Sequence, residues 1–490
     1  MSDLLDDVVA AAGLTVFGAA SVPGSIDARS LAEPPPAGPP VPAGLLPRIA
    51  ELRAELRSRG LDHVVLCGSG SSVLAAAAIA RTLGVDLTVL DADDPHQVRA
   101  ALGDRLGRTV VVLASPETDS HRRAYQQAFE DAGHDDVGRR FVIVTSPGSP
   151  SATLAAETGA HLFLAEPSSS AFSAYGLVPS GLAGADVASL LDQPVRRAAA
   201  GFALTPLSPS LSVEASDDPG VALGAAIAAG ARAGRDKLAL ASDGTGLDGL
   251  ADWIAHLVAA RTPLVPVVLE NPSAWGHEGP DVLSVTLGGA VGAGLMPGGG
   301  IAPDLAVNGP LGAQFAVWER AVAVAAGILG PGEPLRCEPA LSADTPAFVD
   351  GAVEVYGDVS ATTLIGAVDQ FARGIGPGGH LAVTAFLDRV GDAAATGVRD
   401  ALGARVPRVV TFAWGRLPQG NPAAGSFLQL TGAVTDDLPI PGREQTFGEL
   451  QAAQAAGERR ALRGLGRPVL RLHLTDRATG VEQLLAALGG

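Results

Sequence analysis

Lysine is almost absent from this 490-residue chain: Lys237 is the only one, and arginine supplies the other basic residues. Any lysine-dependent catalysis must therefore use Lys237 or be absent. Cysteine is nearly as scarce. Cys67 and Cys337 are too few for a disulfide framework or a cysteine metal site, and they read as reduced thiols of a cytoplasmic protein. Positive charge is in deficit, with 34 basic against 52 acidic residues and a formal net charge of −18. Nucleic acid and anionic membrane are thus not expected partners. A small anionic ligand remains compatible, because backbone N–H groups at a helix start hold phosphate inside an acidic protein. Long apolar runs are missing too. Charges bound Ala222 to Ala231 before the ~18 residues of a membrane span accumulate. The opening Met-Ser-Asp-Leu-Leu-Asp-Asp is acidic where a secretory signal would be basic. Asp91-Ala-Asp-Asp94 and Asp436-Asp437 lack metal-ligand spacing and read as turns or caps, so no metal or cofactor is expected.

What is present is the material of large cores: 47% hydrophobic and 18% charged residues. The first 45 residues end in a proline-rich stretch, Glu33 to Pro42, which reads as a semi-rigid connector. After a helix at Leu45 to Ser58, strands and helices alternate. Strands are expected at Asp62 to Cys67, Val85 to Leu90, Thr109 to Ala114, Phe141 to Thr145 and His161 to Leu164, with helices between them. The rhythm restarts near Ala222, with strands at Lys237 to Ala241, Leu264 to Leu269 and Asp281 to Leu287 and a long apolar helix at Gly312 to Leu329. Further strands are expected at His380 to Leu387, Val409 to Trp414 and Phe427 to Leu430. This pattern predicts an α/β protein with doubly wound parallel sheets.

The first strand runs into Cys67-Gly-Ser-Gly-Ser-Ser72 and then a helix. Gly68, Ser69, Gly70, Ser71 and Ser72 form a candidate phosphate cradle, in which turn and helix-start N–H groups converge and hydroxyls add donors. A tight turn whose glycines only permit close packing is the alternative. The loop is not a dinucleotide fingerprint, because the third glycine would fall at Val73.

From this loop onward the chain resembles the bacterial glucose-6-phosphate isomerases, which read Gly-Met-Gly-Gly-Ser-Ser-Leu at the turn. Gly68, Gly70, Ser72 and Leu74 match; Ser71 replaces a glycine and Val73 a serine. Collinear matches follow at Glu117-Thr-Asp-Ser120, Phe172 to Leu182, Gly234 to Leu238, Asp252-Trp-Ile254, Gly309 to Phe315 with Trp318-Glu319, Phe427 to Gly432 and Arg467 to Asp476. The resemblance implies two sugar-isomerase (SIS-type) subdomains of three αβα layers, at 46–185 and 186–415, followed by a C-terminal extension at 416–490. It also implies a sugar phosphate ligand and a homodimer, with a carbohydrate-metabolising enzyme as a further possible partner.

Several segments of the resembled family are missing. The second phosphate loop is shortened to Ala114-Ser-Pro-Glu-Thr118, leaving Glu117 and Thr118, and Pro116 has no N–H to donate. The arginine-bearing catalytic segment is replaced by Pro167-Ser-Ser-Ser-Ala-Phe-Ser173, which reads as a solvated loop. After Asp252-Trp-Ile254 the family has a glutamate suited to moving a proton between C1 and C2 of the sugar; here Ala255 and His256 follow. The His/Lys segment expected after Ala413-Trp-Gly415 is absent, and Arg416 to Pro422 bridges directly to the next strand. Glu117, His256 and Glu319 are the remaining groups able to carry a proton. Thr118 joins Gly68 to Ser72 as a candidate phosphate contact. The reading is of a degenerate isomerase homologue that binds a sugar phosphate or a partner protein. The alternatives are an active isomerase with a rebuilt site and an enzyme or sensor for another phosphorylated ligand.

Overall fold

The computed structural model describes residues 15–18, 41–198, 218–244, 246–269, 279–288, 304–332, 335–341, 344–417 and 425–489. Most of the proline-rich stretch and residues 418–422 lie outside these. The chain forms two compact units. The first comprises Met1–Asp91, Asp104–Gly276 and Val282–Gly332; the second comprises Ala92–Gly103, His277–Asp281 and Glu333–Gly490.

The first unit contains two sheets. A short strand in the N-terminal segment ahead of the expected connector, β1 (Thr15–Gly18), joins the later of them. The chain then lays down β2 (His63–Cys67), β3 (Leu87–Leu90), β4 (Thr109–Leu113), β5 (Phe141–Thr145) and β6 (His161–Leu164). All pair in parallel, in the order β3-β2-β4-β5-β6. Every residue of β2, β4 and β5 is buried, as near-continuous apolar runs require when helices cover both faces. The less apolar β3 and β6 take the edges.

The second sheet repeats this order. From β7 (Lys237–Ser242) the chain passes to β8 (Val265–Leu269) on one side, then to β9 (Val282–Gly288) and β10 (Leu305–Asn308) on the other. β1 completes this sheet antiparallel to β10, giving β1-β10-β9-β7-β8. Lys237 is buried, with Nζ donating to Asp236 Oδ1 at 2.6 Å. Nearby, the helices Pro219–Arg232 and Leu311–Leu329 cross closely. A Cβ on Gly224 would stand 2.4 Å from the Ala321 carbonyl oxygen, so only glycine allows this approach. Trp253 and Phe315 meet edge to face, with centroids 4.7 Å apart, inside the same core.

The second unit holds a mixed sheet. A hairpin of β11 (Phe348–Asp350) and β12 (Val353–Tyr356) precedes β13 (Leu381–Phe386), β14 (Val410–Trp414), β15 (Ser426–Gly432) and β16 (Val469–Leu474). Their order is β11-β12-β16-β15-β13-β14. β13 pairs with both β14 and β15, so this sheet runs across the expected 415/416 division, and its strands begin well before it. Asp94 and Asp437 act as caps: Asp94 Oδ1 accepts the His96 and Gln97 N–H groups, and Asp437 Oδ1 accepts those of Leu438 and Gly448. His473 is partly buried, with Nδ1 2.9 Å from Thr431 Oγ1.

Candidate functional site

In the first sheet the chain leaves β2 for β3 on one side and returns to β4 on the other. The C-terminal ends of β2 and β4 thus flank a topological switch point, where open α/β sheets bind ligands. Two of the sequence-selected segments, Gly68–Ser72 and Ser115–Thr118, follow these two strands. They start side by side: the Ala114 N–H donates to the Cys67 carbonyl at 3.0 Å, and a Cβ on Gly68 would lie 3.5 Å from Ala114 Cβ.

The glycine loop divides its roles. The Gly68 N–H donates to the Leu90 carbonyl at 3.1 Å, so its amide belongs to the sheet and leaves the expected phosphate cradle. Gly70 has φ 94° and ψ −177°, a conformation nearly restricted to glycine, and it turns the chain into the helix Ser71–Leu83. No side chain caps this helix. Its first N–H groups, those of Ser71 and Ser72, have no intrahelical acceptor by helix geometry and carry the positive end of the helix dipole. Both serines are nearly buried, and Ser69 is exposed.

Ser71 Oγ lies 2.9 Å from Nδ1 of His256, on the helix Leu250–Arg261. Burial depresses the imidazole to about 4, so His256 is neutral at pH 7. Across the crevice, Ser115 caps the single helical turn Pro116–Thr118 by accepting the Glu117 N–H at 3.3 Å. Thr118 is buried and donates from Oγ1 to the Ser115 carbonyl at 2.7 Å. The Glu117 side chain is exposed. Arg122 and Arg123, which follow on the helix Asp119–Asp131, both bind the Asp119 carboxylate at 2.7 Å.

Glu319 lies elsewhere in the same unit, on the helix Leu311–Leu329, and is only 6% exposed. Its Oε1 accepts the Ala171 N–H at 2.8 Å, and its Oε2 accepts the Ser170 hydroxyl at 3.0 Å. Burial pushes the carboxyl up to about 7, against those two hydrogen bonds and the charge of Arg261, which favour ionisation. Arg261 also donates to Ser169 Oγ. The serine-rich segment is therefore only partly solvated: Pro167 is exposed, but residues 170–173 are buried and Glu319 holds Ser170 and Ala171. Little in the chain signals this, because three consecutive serines look water-facing until their acceptor is known. No group of metal-ligating side chains occurs among the described residues.

No family model matches the chain. A curated protein from Haloarcula marismortui, named "Probable glucose-6-phosphate isomerase", is 32% identical over 212 residues; the match covers 40% of this chain and 46% of that protein. The chain thus spans about half the length of this relative. Among solved structures, a glucose-6-phosphate isomerase from Chlamydia trachomatis is 17% identical, with a TM-score of 0.45 over 58% of this chain and 69% of that one. Tagatose-6-phosphate ketose/aldose isomerase from Escherichia coli is 13% identical, with a TM-score of 0.34 over 58% of this chain and 87% of that one. Over the 212 matched residues, the chain is a relative of the glucose-6-phosphate isomerases.

Proposed function

We propose that this chain binds a sugar phosphate at the β2/β4 crevice and does not interconvert the aldose and ketose forms. The observation that carries the binding half is the uncapped start of the helix Ser71–Leu83 at the switch point. It offers two N–H donors and two serine hydroxyls to an anion, opposite Thr118. Such a site needs no surplus of basic residues, which suits a chain of net charge −18.

The other half rests on the fate of the candidate proton carriers. Isomerisation needs a group that reaches both C1 and C2 of the open sugar. Ala255 has only a methyl group, and His256 is tied to Ser71. Both carboxyl oxygens of Glu319 hold the 170–171 backbone and hydroxyl. One observation favours the second reading, an active isomerase with a rebuilt site: the Glu319 carboxyl titrates at about 7, where general acid–base catalysts work best. A coupled assay of fructose 6-phosphate conversion to glucose 6-phosphate, against heat-inactivated protein, separates the two. No turnover, with fructose 6-phosphate binding measured by calorimetry, supports the first. Turnover at an ordinary enzymatic rate supports the second.

A further inference from the structure

Two residues on different helices meet in space. Ser71 opens the helix Ser71–Leu83, and His256 lies on the helix Leu250–Arg261. The two are 185 residues apart in the chain, yet Ser71 Oγ lies 2.9 Å from His256 Nδ1. A hydroxyl and an imidazole nitrogen at this distance share a single hydrogen, and its origin decides what Ser71 can do. If the hydroxyl donates to Nδ1, Oγ turns only lone pairs outward and repels an oxyanion. If Nδ1–H donates to Oγ, the hydroxyl hydrogen is free to point toward the helix start, beside the N–H groups of Ser71 and Ser72. The imidazole is neutral at pH 7, so both tautomers are open to it, and the partners of its nitrogens select between them. An anion at the helix start favours the second.

We propose that His256 is a positioning residue for an oxyanion ligand, donating from Nδ1 to Ser71 Oγ so that the Ser71 hydroxyl donates to the ligand. This inference rests on the sugar-phosphate reading above and names the residue that makes Ser71 a donor. Alone, either side chain would leave a polar group unpaired in a largely buried place.

The test is calorimetric titration of fructose 6-phosphate and of inorganic phosphate into the intact chain and four variants, with thermal melts to verify folding. S71A and H256A should each weaken binding about tenfold, the loss of one hydrogen bond to a charged acceptor. The double variant should be no weaker than either single one. H256N should stay within about twofold of the parent, because its amide N–H can replace Nδ1–H. In ¹⁵N spectra of histidine-labelled protein, with His256 assigned by its loss in H256N, saturating ligand should move His256 toward the Nδ1–H tautomer. A purely structural role for the pair would not produce that shift, and this measurement stands even where H256A does not fold. Unchanged affinity in folded H256A, or an unchanged tautomer with ligand bound, overturns the proposal and leaves the sugar-phosphate reading intact. A parent chain that binds neither ligand overturns both.

Discussion

The first unit contains the same sheet plan twice, and its two switch points differ in chemistry. In the first sheet the crevice between β2 and β4 is bordered by an uncapped helix start and serine hydroxyls. In the second sheet the equivalent place lies between the ends of β7 and β9. There the Asp243 carboxylate and the Asn308 side-chain oxygen crowd Gly288, and buried Gln314 donates to the Gly288 and Val307 carbonyls at 3.0 and 2.8 Å. One crevice offers donors to an anion. The described part of the other is packed, with a carboxylate and an amide oxygen against Gly288. Strand order creates a place for a ligand, and the side chains at the strand ends decide whether that place accepts one.

Substitution at the two glycines breaks the comparison most forcefully. Gly70→Ala forces a side chain into a glycine-only conformation at the helix start. It should cost about 1–3 kcal/mol of stability and abolish measurable fructose 6-phosphate binding, read by denaturant unfolding and calorimetry. Gly288→Ala would place a Cβ 2.1 Å from Asp243 Oδ2 and 2.3 Å from Asn308 Oδ1. A similar loss of about 1–3 kcal/mol is expected from overpacking, but with sugar-phosphate affinity unchanged. Equal effects on binding at both glycines would dissolve the distinction between the crevices.

Glu319 sharpens the comparison through pH. Its carboxyl titrates at about 7 in the folded chain, against 4.5 for a free glutamate. Between those values the folded state holds the proton more tightly than the unfolded state. Its contribution to stability is therefore fully present below about pH 4.5 and is lost as pH rises through about 7. Glu319→Gln removes that titration while keeping an acceptor for the Ala171 N–H. Urea unfolding should show a parent that loses about 1–3 kcal/mol more than the variant between pH 5 and pH 8. Parallel pH profiles would contradict the assignment. The smallest effect is expected at Glu117. Its side chain is exposed, so Glu117→Gln should change stability by less than about 0.5 kcal/mol and leave sugar-phosphate affinity within twofold by calorimetry. A larger loss would give the Glu117 side chain a part in binding.

Much of this architecture was legible because buried parallel strands are nearly unbroken apolar runs. β2, β4, β5 and β7 fall within a residue or two of where their Val, Leu and Ile clusters place them. β1 and β10 were not. Each has four residues, and β1 finds β10 nearly 300 positions away, a pairing that no local pattern reports. The β11/β12 hairpin did carry a signal, Asp350-Gly351 between alternating apolar residues, with Gly351 at φ 57°. At the site, the glycine loop and its helix were readable from composition. The Ser71–His256 bond was not, because nothing near either residue announces the other. The role of Glu319 was half visible: a carboxylate amid an apolar helix invites partners, but one of them is a backbone N–H, which sequence does not mark.

The most direct test of the central claim is one NMR experiment, with fructose 6-phosphate and a stoichiometric amount of the chain in D₂O. The account predicts broadening of the ³¹P resonance by binding, with the C1 protons retained and no glucose 6-phosphate formed. Deuterium entering at C1 with glucose 6-phosphate accumulating would show that a proton carrier survives, and a sharp, unshifted ³¹P line would show that the crevice holds no sugar phosphate.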